Sequence, residues 1–279
     1  MGRGAGSSPF QSEGEGTPPP QLDTSTAHSA RVWNYLLGGK DNFAADRETG
    51  DMILRMFPDI ATIARLQRRF MARAVRYLAG DAGIRQFVDI GTGLPTADNT
   101  HEVAQRVAPE SRIVYVDNDP LVLAHAEALL TSSPEGATDY LDADLHNPGP
   151  ILKAAGRTLD FTQPIALTLL GVVIFINDDG DAYRIVRELV DAVPSGSYLV
   201  LSHTITSPSM PDMDAAVAFW NEHGTPKLTQ RTLDGITRFF DGLELLEPGV
   251  VSCSRWRPEE TPWGEPDEVA IFGGVGRKP

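Results

Sequence analysis

The chain has one cysteine, Cys253, in 279 residues. No intrachain disulfide can form, and a cysteine-rich metal site is excluded. Histidine is sparse too: His125, His146 and His223 stand isolated, no cluster has metal-ligand spacing, and no metal is expected. No apolar run approaches the ~20 residues of a membrane-spanning helix. The first residues lack the apolar core of a secretory signal. The expected compartment is a reducing cytoplasm. Positive charge is in deficit, with 24 Lys and Arg against 38 Asp and Glu, for a net charge of −14. Phosphate binding needs a basic footprint, so nucleic acid and anionic membranes are not expected partners. The excess acid suits solubility.

Two segments carry the chemistry. Gln86-Phe-Val-Asp-Ile-Gly-Thr-Gly-Leu-Pro-Thr96 reads as a short apolar strand followed by a tight turn at Gly91 and Gly93. Ile113-Val-Tyr-Val-Asp-Asn-Asp-Pro120 reads as a second strand ending at Asp117. A helix-length stretch separates them, which makes a βαβ unit of a nucleotide-binding half-sheet. Glycines let the backbone approach a ligand closely, and an acid ending the second strand can accept from ribose hydroxyls. The pattern departs from a dinucleotide fingerprint: Thr96 stands where the third glycine belongs, and Asp98 at a helix N-terminus would repel pyrophosphate. An acid two residues before the first glycine, Asp89, suits the ammonium of an amino-acid cofactor. These details favour S-adenosylmethionine.

Residues 1–23, rich in Gly, Ser and Pro, read as a disordered tail. Residues 24–80 form an N-terminal helical segment, and 81–279 the cofactor-binding domain. In the helical segment, Val32, Tyr35 and Leu36 share one side of a helix closed by Gly38-Gly39. A short helix should start near Asn42 or Phe43. Ile63, Leu66, Phe70, Ala74 and Leu78 mark an amphipathic helix over 60–79. Strands are expected at 86–90, 112–117, 138–141, 164–170 and 197–202, with helices at 97–108, 120–130, 180–192, 212–223 and 231–239. Segments 245–251 and 268–275 read as a closing hairpin joined by a loop rich in Trp and Pro.

The block Ser29-Ala-Arg-Val-Trp-Asn-Tyr-Leu-Leu-Gly-Gly-Lys-Asp-Asn-Phe43 is long and specific. With the glycine turn, Val114-Tyr-Val-Asp-Asn-Asp-Pro120 and Trp256-Arg-Pro258, it resembles the actinomycete S-adenosyl methyltransferase family, over about residues 24–277. The resemblance implies an α/β, Rossmann-like class I methyltransferase fold: a mostly parallel seven-stranded sheet, helices on both faces, and the N-terminal helices as a lid. It implies S-adenosylmethionine as cofactor and S-adenosylhomocysteine as product, and names no acceptor. Such enzymes often carry Leu-His-His or Leu-His-Phe after the fourth strand. Here the run is Gly171-Val-Val-Ile-Phe-Ile-Asn177, with Ile174 in place of that histidine.

In such a fold the ligand crosses the C-terminal ends of the strands. Asp89 and the Gly91-Thr92-Gly93 turn should face the methionine portion, and Asp117 the ribose. Asn118 should flank the adenine, with Asp144 accepting from its amino group, Asp142 as the competing choice, and Leu145 packing on the ring. Gly171 should line the same cleft. From the lid, Arg31, Tyr35 and Asn42 are candidates for the cofactor carboxylate and sulfonium. His203, at the end of the fifth strand, is the candidate base. The expected reaction is methyl transfer to a small-molecule acceptor. A non-catalytic cofactor sensor and, more distantly, a nicotinamide oxidoreductase are the competing readings.

Overall fold

The computed structural model describes residues 22–129, 131–207, 209–259 and 264–279. Most of the expected N-terminal tail, and Pro262-Trp263 of the expected aromatic loop, lie outside the described residues.

The chain opens with β1 (Ala27–His28), α1 (Ser29–Leu36), α2 (Ala44–Met56) and the long α3 (Ile60–Gly80). The alternating part follows: β2 (Gln86–Ile90), α4 (Thr100–Val107), β3 (Arg112–Asp117), α5 (Pro120–Leu129), β4 (Ala137–Asp142), α6 (Pro148–Ala155), β5 (Ala166–Leu170), α7 (Asp179–Ala192) and β6 (Tyr198–Thr204). It closes with α8 (Pro211–His223), β7 (Gly224–Thr225), α9 (Leu233–Thr237), β8 (Glu244–Leu245), β9 (Val251–Ser252) and β10 (Ile271–Arg277).

The strand order is β4-β3-β2-β5-β6-β10-β8, with β9 also on β10. Strands β2 to β6 run parallel, and β10 is antiparallel to β6. The chain therefore leaves β2 toward β3 and β4 on one side, then returns to β5 and β6 on the other. Right-handed crossovers put the connecting helices of the two halves on opposite faces. Helices α3 and α4 pack together, α3 also against β5 and β10, while α6 packs on α7. The central strands are buried on both faces, so β2 and β6 are buried at every residue, and their apolar runs do not alternate.

In α3, Ile63, Phe70, Ala74 and Leu78 are buried as the spacing requires, with Leu66 at the margin. In α1 the buried side is Arg31, Val32, Asn34 and Leu36, and Tyr35 lies off it. The helix expected over 231–239 is α9 plus a separate tight turn at Arg238–Phe240. The hairpin strand expected over 245–251 is two pieces. Pro248 has no N–H for the ladder and Gly249 turns at φ +91°, so β8 and β9 pair with opposite ends of β10.

Trp256, from the C-terminal loop, is fully buried and meets Phe70 of α3 edge-on, ring centroids 5.5 Å apart. Arg73 donates to the Trp256 and Cys253 carbonyls at 2.8 and 2.6 Å. This loop is thereby locked beneath α3. Trp256→Ala should cost about 3–5 kcal/mol of stability, read as a lowered denaturant midpoint at unchanged slope.

Candidate active site

A cavity of about 300 Å³ runs along the C-terminal edge of the sheet, roofed by α1, α3 and α8. Gly91 and Gly93 adopt φ of +70° and +65°. A Cβ on Gly91 would lie 2.4 Å from Val172, whereas one on Gly93 would meet nothing within 4 Å. Gly91 is thus a packing requirement, and Gly93 presents bare backbone to open space.

The Gly93 N–H donates to Asp117 Oδ2 at 2.9 Å, and the Asp119 N–H donates to Oδ1 at 3.0 Å. Burial, opposed by these backbone donors, leaves the Asp117 carboxyl above the usual carboxylate range. Each oxygen keeps a lone pair for a further donor. Asp89 accepts from the Thr100 hydroxyl at 2.6 Å and the Thr168 hydroxyl at 2.9 Å. Burial raises its pKa as well. It ties α4 to β5 at the cavity floor. Asp144 Oδ1 accepts from the backbone N–H and Nδ1 of His146, at 2.9 and 2.7 Å. Burial raises its pKa, but the His146 bonds outweigh it, so the carboxyl lies below its ordinary range. Thr92, Asn118, Asp144, Leu145 and Gly171 line the cavity; Asp142 does not.

The N-terminal helix lines the cavity through other residues than those singled out in the sequence. Ser29, Trp33 and Asn34 face it; Arg31, Tyr35 and Asn42 are not in its lining. Arg31 donates to the Asp23 carbonyl at 2.7 Å and lies 3.6 Å from Asp46, which is fully buried. Asp46 in turn accepts the N–H groups of His28 and Phe43 at 2.9 and 2.8 Å. The Tyr35 hydroxyl donates to Asp51 at 2.5 Å. Asn42 Nδ2 donates to Asn34 Oδ1 and the Gly39 carbonyl at 3.0 and 3.1 Å. All three hold the helical segment to itself. Two pairs fasten that segment to the β3–α5 connection and to α5: His28 to Asp119 at 2.9 Å and Asp41 to His125 at 3.2 Å.

Arg68 of α3, which is not among the candidates read from the sequence, lines the cavity. Its Nη2 donates to the carbonyls of Ala97 and Asp98 at 3.3 and 3.0 Å, while Nε is buried with no partner. Burial lowers its pKa, and the Asp89 charge works against that. An arginine in an amphipathic helix carries no sequence signal for this, because only the packing of α3 aims it at the cavity.

His203 does not line the cavity. Its Nδ1 donates to the Thr204 carbonyl at 2.9 Å, so Nε2 accepts from Arg231 Nη1, 2.7 Å away. Arg231 also donates to the Ile176 carbonyl and to Asp179, both at 2.9 Å. This geometry needs a neutral imidazole, and burial pushes the His203 pKa down to about 3. The pair supports the 173–176 turn, where Ile174 lies against the cavity. The unfolded chain takes up this proton first, so the His203 contribution is intact above about pH 6.5 and is lost as pH falls toward 3. His203→Gln should flatten this acid limb in a plot of denaturant midpoint against pH; an equally steep limb would contradict the assignment.

The sequence profile of the S-adenosyl methyltransferase family matches residues 15–279. A DUF574 family protein from Streptomyces avermitilis is 45% identical, with a TM-score of 0.88, over 93% of this chain and 100% of that one. A protein from Thermobifida fusca with a provisional methyltransferase designation is 41% identical, with a TM-score of 0.84, over 94% and 98%. An O-methyltransferase family protein from Burkholderia thailandensis, 14% identical with a TM-score of 0.51 over 84% of this chain and 59% of that one, shares the fold. No curated protein matches the chain. Because the family profile spans nearly the whole chain, this protein belongs to the S-adenosyl methyltransferase family, and its cofactor is S-adenosylmethionine.

Proposed function

We propose that this methyltransferase acts on a small molecule held beside S-adenosylmethionine in the cavity at the sheet edge. The observation that carries this reading is the roof. Helix α1 and residues of α3 and α8 cover the strand ends and leave about 300 Å³. A roofed space of this size suits a compact acceptor. The net charge of −14 supports the same reading. The lone thiol, fully buried, suits a reducing cytoplasm.

The residues fit the cofactor. Asp117 has lone pairs for the ribose hydroxyls beside the bare backbone of Gly93. Leu145 offers an apolar surface to the adenine, with Asn118 and Asp144 at its edge. Arg68, with its unpartnered Nε, suits the carboxylate, and Asp89 lies on the same side as the ammonium's counter-charge. Bound there, the sulfonium supplies an activated methyl group. The chain's part is to orient the two reactants and exclude water. The segment 24–80 acts as a lid, held by the His28–Asp119 and Asp41–His125 pairs.

Calorimetry with S-adenosylhomocysteine tests the cofactor assignment. Asp117→Ala should lose binding while keeping the thermal transition. Arg68→Ala should weaken S-adenosylhomocysteine roughly tenfold or more, as loss of a charge-assisted hydrogen bond costs about 1.5–3 kcal/mol. Binding of 5′-methylthioadenosine, which has no carboxylate, should not change; equal weakening of both ligands would remove Arg68 from that role. Transfer of labelled methyl to a small molecule in extract separates an enzyme from a cofactor sensor.

A further inference from the structure

We propose that His28 is the general base of the methyl transfer, oriented by Asp119, and that the acceptor offers it a hydroxyl group. The role rests on the methyl-transfer reading above and adds the path of the proton.

The His28 backbone is held from two sides. Its N–H donates to the buried Asp46 at 2.9 Å, and β1 pairs in parallel with β7, His28 opposite Thr225. The ring is held from a third. Its Nδ1 lies 2.9 Å from Asp119 Oδ2, and neither of these buried atoms has another partner. The contact is close enough for an ion pair and lies off the line of an aligned hydrogen bond. Burial raises the Asp119 pKa, but the His28 contact and the Leu121 N–H, which donates to Oδ1 at 2.8 Å, outweigh it and hold the carboxyl below its ordinary range. A carboxylate at Nδ1 keeps the proton on that nitrogen and leaves the Nε2 lone pair free. Among the described residues none bonds to Nε2, the His28 side chain is 23% exposed, and the residue lines the cavity.

The strap after β7 joins this ring to the far wall. Pro226 and Leu228 line the cavity just past Thr225, and the Trp220 indole of α8 donates to the Pro226 carbonyl at 2.8 Å. The Thr229 N–H donates to the Ile174 carbonyl at 2.8 Å. Thr225 and Thr229 are at most about 14 Å apart along an extended chain. The ring and the Ile174 wall therefore belong to one short stretch of the cavity, bordered on its other side by the turn that carries Asp117 and Asp119.

The other titratable groups in the lining are committed. Asp89 accepts two hydroxyls at the floor, and Asp117 accepts two backbone N–H groups. Asp144 and His146 pair with each other just past β4, the edge strand. Arg68 is a cation. His203 is turned away onto Arg231. That leaves His28. Its Nε2 takes the proton of the acceptor hydroxyl as the oxygen forms a bond to the methyl carbon and the carbon–sulfur bond breaks. Sulfur keeps that electron pair as a neutral thioether, and the other product is a neutral ether. The positive charge passes from the sulfonium to the imidazolium, beside the Asp119 carboxylate, and the proton leaves to water afterwards.

The full chain is tested with S-adenosylhomocysteine, with methyl-labelled S-adenosylmethionine and the small-molecule fraction of a Streptomyces avermitilis extract, and with imidazole. Nitrogen-15 NMR at mildly alkaline pH should show the His28 proton on Nδ1. In Asp119→Asn the Leu121 N–H keeps the amide oxygen at the Oδ1 place, so the amide NH2 faces Nδ1 and the proton should move to Nε2. Mass spectrometry should find the label in an ether. His28→Ala should lower that rate about a hundredfold and change S-adenosylhomocysteine affinity by less than about twofold. Imidazole should restore rate to His28→Ala and not to His28→Gln, whose side chain fills the space. A proton on Nε2 in the unsubstituted chain, an undiminished rate in His28→Ala, a lost rate that imidazole does not restore, or a label in any product other than an ether overturns the proposal. Two failures are distinct from these: no binding of S-adenosylhomocysteine removes the cofactor assignment, and binding with no labelled product removes the methyl-transfer reading.

Discussion

The site depends on the contact between Gly91 and Val172. Strand β2 sends its connection to β3 on one side, and β5 lies on its other side, so the two strand ends part at this point in the sheet. The left-handed Gly91 backbone lets the β2 turn pass Val172 at a distance where any Cβ would clash. That passage directs Gly93 into the cavity, where its N–H meets Asp117. Val172 itself lines the cavity. A larger residue at position 91 would have to displace the turn that carries Gly93.

Buried polar groups elsewhere have a positioning role. Asp46 gathers the N–H groups of His28 and Phe43 and the Arg31 guanidinium, and so gives the short helices α1 and α2 one fixed geometry. Helices this short have little stability of their own. Arg231 does similar work under the cavity, where it joins His203, Asp179 and the Ile176 carbonyl. The cavity wall at Ile174 is then held from behind by polar bonds and presents only hydrocarbon in front. At Ile174 the chain thus sets an apolar side chain against the ligand space.

Much of this was legible in the sequence because it follows from local rules. The period of 3.6 in α3, the short apolar stretches of β2 and β3, and the Gly-x-Gly turn before Asp117 each identify an element by a few residues. Those elements in that order leave few topologies open. The closing hairpin was less legible, since Pro248 and Gly249 interrupt a run that otherwise reads as one strand. In the N-terminal block, chemical variety in Arg31, Tyr35 and Asn42 suggested ligand contacts. The cavity is instead lined by neighbours one or two residues away, such as Ser29, Trp33 and Asn34, because helix rotation decides which side chains face it.

The sequence by itself determined the α/β class, the succession of strands and helices, and the glycine turn with its two acids, since these rest on backbone conformation and on periodicity. Only the tertiary structure decided that His203 is sequestered by Arg231, that Arg68 reaches the cavity with a free Nε, and that Ser29, Trp33 and Asn34 face it in place of Arg31, Tyr35 and Asn42. Each of those facts joins residues far apart in the chain, such as His203 with Arg231 and Gly91 with Val172. A side chain's surroundings at such distances are set by how helices and strands pack, which no local pattern encodes.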